Sequence, residues 1–161
     1  MNKIVLGIDP GFGRCGFGVI EQKDGEWHCI SHGVIETDAG FNFGKRLLEI
    51  AENIKQILDD FKPQVLALED LFFAKSTTTA LKVAEVRGVI QYLATQNGVE
   101  VIAVKPNEVK MAVTGYGAAD KYQMQEMIKT IFHLDAIPRP DDAADALAIA
   151  WTGAQKMRFE N

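Results

Sequence analysis

Residues 4–9, Ile-Val-Leu-Gly-Ile-Asp, form an apolar run that ends on a carboxylate and breaks at once into Pro10-Gly11. Apolar runs of this length, bounded by turn residues, read as buried strands. A carboxylate carried on the end of such a strand is costly to bury unless a metal, a ligand or a partner compensates its charge. The construction recurs at 65–69, Val-Leu-Ala-Leu-Glu, and two further acids stand three apart in Asp142-Ala143-Ala144-Asp145. The chain is therefore built around strands that deliver acids to their ends.

The segments between these strands fix the rest of the pattern. Residues 15–21 and 27–36 are two more strands, the first containing Gly16 and Gly18, with a polar turn at Asp24-Gly25. Three strands joined by short turns predict an antiparallel meander. The period then changes: Phe43, Leu47, Ile50, Ile54, Ile57, Leu58 and Phe61 recur at three and four, an amphipathic helix that Pro63 ends. Residues 78–96 read as a helix with apolar side chains on two faces, followed by a fifth strand at 99–104. Shorter helices are expected over 106–113 and 121–132, separated by the loop 114–120, and a last helix over 141–157. The strands at 4–9, 65–69 and 99–104 are each followed, directly or through the meander, by helix, so they should be parallel neighbours in a mixed five-stranded sheet flanked by helices. Length and the absence of a linker point to one domain over 1–157, with 158–161 a short tail.

Composition limits the classes. Cys15 and Cys29 provide no disulfide or zinc framework and are expected as free thiols. The sequence opens with no cationic apolar leader and contains no stretch long enough to span a bilayer, so a cytoplasmic setting is the expectation. Net charge is −5, which argues against a nucleic-acid partner unless several acids share a metal site whose cations reverse the local field. A basic face would then be a local patch.

Magnesium and manganese take oxygen ligands and keep some waters, so one or two carboxylates per ion are expected. Asp9 and Glu69 end strands that the connectivity makes adjacent, and Asp142 and Asp145 share one helix face. Four acids meeting at one sheet edge would repel, and two metals would resolve that; such a pair can activate water toward a phosphodiester and stabilise the leaving oxygen. Taken singly, each acid also fits a plainer role. A strand-end Asp commonly serves a turn, and Asp141 and Asp142 follow Pro138 and Pro140 where helix caps belong. The glycines after Asp9 also suit phosphate binding by an ATPase of the sugar-kinase and actin type, but neither nucleotide fingerprint is present and the length leaves no room for a second lobe.

Three blocks carry a resemblance: Gly7-Ile8-Asp9-Pro10-Gly11, Leu68-Glu69-Asp70-Leu71-Phe72-Phe73-Ala74-Lys75, and Asp142-Ala143-Ala144-Asp145-Ala146-Leu147-Ala148. In order and without large insertions, they resemble the RuvC-type Holliday-junction resolvases over nearly the whole chain. The resemblance implies a ribonuclease-H-like fold and a homodimer that nicks two symmetry-related strands of a four-way DNA junction, leaving ligatable 5′-phosphate ends. It implies Asp9, Glu69, Asp142 and Asp145 as metal-binding catalytic residues, with Mg2+ (Mn2+ as a substitute), two ions per subunit. Lys110 and Lys121 match family lysines near the scissile strand, and Phe72 matches an aromatic that stacks or wedges at the crossover. Lys75, Lys82, Arg87 and Lys105 are further candidates for DNA contact. The 78–96 helix matches the family's dimerisation helix, and branch-migration proteins of the RuvA and RuvB type are the implied partners. Two alternatives stay open: a non-catalytic junction-binding module, and a ribonuclease-H-like nuclease with another nucleic-acid substrate. The extra acids Asp70 and Asp141 depart from a simple ligand set, and Asp141 could compete with Asp142.

Overall fold

The computed structural model describes residues 2–70 and 76–157; the expected tail at 158–161 lies outside them. The chain runs β1 (Lys3–Asp9), β2 (Arg14–Lys23), β3 (Glu26–Glu36), α1 (Phe43–Phe61), β4 (Val65–Glu69), α2 (Thr77–Gln96), β5 (Glu100–Val104), α3 (Pro106–Thr114), α4 (Lys121–Ile131) and α5 (Asp141–Met157). The five strands form one mixed sheet in the order β3-β2-β1-β4-β5. β1 to β3 make the antiparallel meander, and β1, β4 and β5 are parallel. Every expected element is present, with ends displaced by a few residues.

Strand alternation divides the core in two. Leu6, Ile8, Leu66 and Leu68 face α1 and α2, where Ile50, Ile54, Val86 and Ile90 are fully buried. Val5, Val65 and Ala67 face the opposite way, against α3, α4 and α5. Asp9 and Glu69 follow Ile8 and Leu68 and so belong to this second face. The helices are stopped and started locally. The side chain of Asn42 accepts from the Lys45 N–H at the start of α1, and Lys62, in the left-handed region, returns its N–H to the Leu58 carbonyl at the end. Asp120 and Gln123 form a reciprocal capping box at the start of α4. Asp120 thus ends the 114–120 loop as a cap.

Helix α5 packs directly onto the sheet backbone. A Cβ on Gly7 would overlap the Ala146 carbonyl oxygen and stand 2.7 Å from the Ala150 Cβ. One on Gly16 would overlap the Asp142 carbonyl oxygen. The helix backbone therefore lies on β1 and β2 with nothing between, which explains why Ala143, Ala144, Ala146, Ala148, Ala150 and Ala154 are all buried. Small side chains on both partners are what allow this distance.

Both cysteines are free, Cys15 buried and Cys29 half-buried. Their partners across the ladder are Ile35 and Ile20, so they are not opposite one another. Burial pushes the Cys15 thiol up to about 12 and Cys29 to about 11, which leaves both protonated near neutral pH.

Gly7→Ala should lower the stability of the fold by about 1–3 kcal/mol, the usual cost of overfilling a packed core, read as a shift in the urea midpoint at unchanged m-value. An unchanged midpoint would mean that α5 can retreat from the sheet at no cost.

Candidate active site

The acids reach one end of the sheet by three separate constructions. β1 and β4 run parallel with Ile8 beside Leu68, so Asp9 and Glu69, one residue further along each strand, emerge as neighbours. On the other side of β1, Asp9 pairs with Gly16 of β2. Gly16 is the residue against which the backbone of Asp142 rests. Asp145 lies almost one turn further along α5, on the same face, and lines a cleft of about 360 Å³ together with Glu69, Lys110, Lys121 and the apolar side of α3 and α4.

The electrostatics follow from this crowding. Burial is the main cause that raises the Glu69 carboxyl above the usual range, with the Asp145 charge adding to it and Arg87 opposing. Asp145 is likewise raised, first by burial and then by Asp142 and Asp141, against the pull of Lys121. Two partly buried acids, each raised by burial and by a neighbouring aspartate, favour a positive partner. The donor set is chemically suited to a hard divalent cation, being all carboxylate oxygen. Among the described residues, however, no three acidic, histidine or cysteine side chains already gather as a single-ion cage. A hydrated ion held by one or two carboxylates fits this spread; a closed all-protein site does not.

Asp141 has a role of its own. It binds Lys121 Nζ at 2.9 Å and Arg139 Nη1 at 2.9 Å, and accepts from Gln125 Nε2 at 3.2 Å. The hydrogen bond from Lys121 holds its carboxyl below the ordinary value, and that same bond raises Lys121. Asp141 is thereby the counter-ion of Lys121. Asp142 instead pairs with Arg14 at 3.2 Å. Both aspartates lie within the first turn of α5, where their charge complements the helix dipole; they are not the cap residues that the preceding prolines suggested.

The remaining basic residues fall into different settings. Lys110 lines the cleft, and Lys105 is exposed just before α3. Arg87 is directed into the protein, its Nε donating to the Glu69 carbonyl at 3.0 Å and its Nη2 lying 3.4 Å from Asp70, with only 16% of its side chain exposed. In this arrangement it braces the strand end that carries Glu69. Lys82 lies across the sheet from the cleft, on α2 beside the Phe12 ring. Phe72 and Lys75 lie outside the described residues. Sequence reasoning passed over Arg14 and Arg139; the only signal for the first is its place at the start of the strand that returns beside Asp9.

Comparison with known proteins gives these positions a context. Residues 5–153 match the family model for crossover junction endodeoxyribonuclease RuvC. The chain is 46% identical over 155 residues to the crossover junction endodeoxyribonuclease RuvC of Thermosipho melanesiensis, covering 96% of this chain and 99% of that one. With the protein of the same name from Pseudothermotoga lettingae it shares 45% identity over 148 residues, 92% and 91% of the two chains. Among solved structures, RuvC of T. thermophilus in complex with a Holliday junction substrate superposes with a TM-score of 0.93 at 34% identity, covering 98% of this chain and 96% of that one. The architecture is accordingly the ribonuclease-H-like one, and the match covers nearly all of each of these chains. The chain belongs to the RuvC family of crossover junction endodeoxyribonucleases, enzymes that resolve Holliday junctions.

Proposed function

We propose that this protein cleaves four-way DNA junctions by paired nicks, with Asp9, Glu69, Asp142 and Asp145 as its metal-binding catalytic residues. The observation that supports this most directly is the convergence of four acids, from two parallel strand ends and one closely packed helix, on one edge of the sheet. They would hold Mg2+, or Mn2+ in its place, as two ions per subunit, each retaining water. When bound, such ions supply an activated water and charge stabilisation at the phosphodiester.

The protein's own groups do the rest. Glu69 and Asp145 face the cleft and orient its hydrated contents through carboxylate oxygens. Lys121, anchored by Asp141, presents a fixed ammonium at the cleft, and Lys110 presents a second from α3. Both suit the non-bridging oxygens of a bound phosphate, where charge grows during cleavage. The apolar wall of Val109, Ala148 and Ile149 limits water on that side. Phe72 fits the role of a base-stacking residue by its match to the family alone, and Lys75 and Lys105 that of contacts to the DNA backbone.

A homodimer is part of this reading. On α2, Leu81, Glu85, Gly88 and Tyr92 fall on one stripe at helical spacing and all are exposed, Leu81 at 60% and Tyr92 at 66%. The opposite side of the helix, with Val86, Ile90 and Ala94, is fully buried. A second copy across this stripe would cover its apolar residues and place two cleavage centres in one symmetric particle. Branch-migration proteins of the RuvA and RuvB type fit as partners delivering the junction, in a cytoplasmic setting. No helix among the described residues is long and apolar enough to cross a membrane.

Three outcomes test these statements. With a labelled mobile four-way junction, the protein should give symmetric, ligatable nicks with Mg2+ and none with EDTA or as D9N or E69Q, while binding persists. Junction cutting by D9N at the wild-type rate would remove Asp9 from the site, binding without any cutting would favour a junction-binding module, and equal cutting of linear DNA or RNA would favour a general nuclease.

The second outcome concerns stability. A carboxyl whose folded pKa is raised stabilises the fold below its unfolded pKa, and that contribution is lost as pH rises through the folded value. At neutral pH without metal, the Asp145 charge is therefore unfavourable. D145N should raise Tm in EDTA by a few degrees and abolish the further rise that Mg2+ gives the wild type; a lowered Tm in EDTA would contradict the charge argument.

The third is assembly. Leu81→Arg should convert a dimer to a monomer at about 10 μM protein, at which interfaces with Kd near 1 μM remain mostly formed, as read by sedimentation. A wild-type protein that is itself monomeric there would remove the basis for paired nicking.

A further inference from the structure

The turn that follows Asp9 carries an unusual arrangement of charge. The Phe12 ring meets Phe43, at the start of α1, edge to face at 5.9 Å between centroids. Two cations share that ring: Arg46 Cζ lies 5.1 Å from its centroid and Lys82 Nζ 5.3 Å, with Lys82 also 5.7 Å from the Phe43 ring. A third, Lys45, lies 3.5 Å over Phe41 nearby. Among the described residues, none of these three has a carboxylate within ion-pairing distance. Cation–π contacts at exposed sites are worth about 0.5–1 kcal/mol each, a weak reason to hold two like charges together. This chain has 22 acidic residues to 17 basic, yet among the described residues no carboxylate pairs with this group. The missing partner is an anion.

Arg46 is also fixed in a way that a solvated surface arginine is not. Its Nε donates to Thr37 Oγ1 at 2.9 Å, and the Thr37 hydroxyl in turn donates to the Phe12 carbonyl. The Thr37 N–H donates to the Gly13 carbonyl at 3.0 Å. The guanidinium is so close to the turn that a Cβ on Gly13 would stand 3.1 Å from its Nη2. With Nε committed, the two terminal amino groups form the fork that matches phosphate oxygens. Arg46 and Lys82 come from α1 and α2, on the opposite face of the sheet from Lys110 and Lys121 on α3 and α4. Asp9 and Glu69 end their strands on the α3–α5 side, and Phe12 stands three residues beyond Asp9 in the turn that leads away from it.

We propose that Arg46 and Lys82, gathered on the Phe12 ring, form a second phosphate-binding point for the DNA backbone, across the sheet edge from Lys110 and Lys121. It rests on the junction-cleaving reading above. A strand gripped on both sides of the edge is held over Asp9, and because Arg46 is tied through Thr37 to the turn at 11–13, the grip acts on the segment that follows that residue.

The test is the salt dependence of binding to a synthetic four-way junction in EDTA, where cutting is blocked. Each phosphate contact adds about 0.9 to the slope of log K against log salt concentration on duplex DNA. Arg46→Gln and Lys82→Gln should each reduce the slope by about that amount per engaged subunit, and Arg46→Lys should restore most of it. Lys55→Gln, on the exposed side of α1, should leave the slope unchanged. Among the described residues Lys82 makes no hydrogen bond and contributes only cation–π contacts, so Lys82→Gln should stay folded and remains informative if Arg46→Gln unfolds. Unchanged slopes in folded Lys82→Gln and Arg46→Gln, beside normal wild-type binding, would overturn this proposal alone. Failure of the wild type to bind the junction would overturn the functional reading, and this inference with it.

Discussion

The contact of the α5 backbone with β1 and β2 is the constraint on which the rest of the molecule depends. Strand-end acids alone could lie anywhere along a sheet edge, and a helix standing at an ordinary packing distance of about 10 Å would keep its own acids well away from them. Gly7 and Gly16 remove the side chains that would enforce that distance, and alanines on α5 answer them. The gain is geometric: Asp142 rests against Gly16, the ladder partner of Asp9, and Asp145 is brought to the cleft beside Glu69. The sheet core and the spacing of the four acids are thus one piece of packing.

A second consequence is electrostatic. Burial, with neighbouring aspartates adding to it, raises Glu69 and Asp145, and the protein sets anchored cations around the acids. Arg87 braces the Glu69 backbone, Arg14 faces Asp142, and Asp141 holds Lys121 in place. The net charge of −5 therefore says little about the face that meets DNA. Acid is concentrated where a metal would neutralise it, and base is distributed on both sides of the same edge. In such a site the charges that look unfavourable in isolation are the ones that metal ions and phosphates would complement.

Much of this was legible in the sequence because it rests on local periodicity. Alternation at 4–9 and 65–69, and the three-and-four spacing after Phe43, are enough to specify a meander, parallel strands and the side of the sheet on which Asp9 and Glu69 emerge. The pair Asp142 and Asp145 could be placed on one helix face by spacing alone. What could not be read is what depends on distance between remote segments. Gly16 is, in the sequence, one of two glycines in an apolar strand, and its contact with Asp142 gives it a purpose. Asp141 and Asp142 are adjacent in sequence and equivalent by pattern, but Lys121 and Arg139 claim one and Arg14 the other. Arg87 reads as a surface cation until Glu69 and Asp70 are seen to take it. The Thr37 link between Arg46 and the turn after Asp9 joins three segments that no local pattern relates.

The most direct test of this account is the rate of junction cleavage by Gly16→Ala under saturating Mg2+. The added methyl group would meet the Asp142 carbonyl, so the first turn of α5 must move away from Asp9 while the distal part of the helix keeps its hold on the core. Misplacement of catalytic groups by about 1 Å can cost a factor of about 100 in rate. A fall of that size in a variant that remains folded and still binds the junction is the predicted result. Cleavage at the wild-type rate would show that the distance between α5 and the sheet does not set the catalytic geometry.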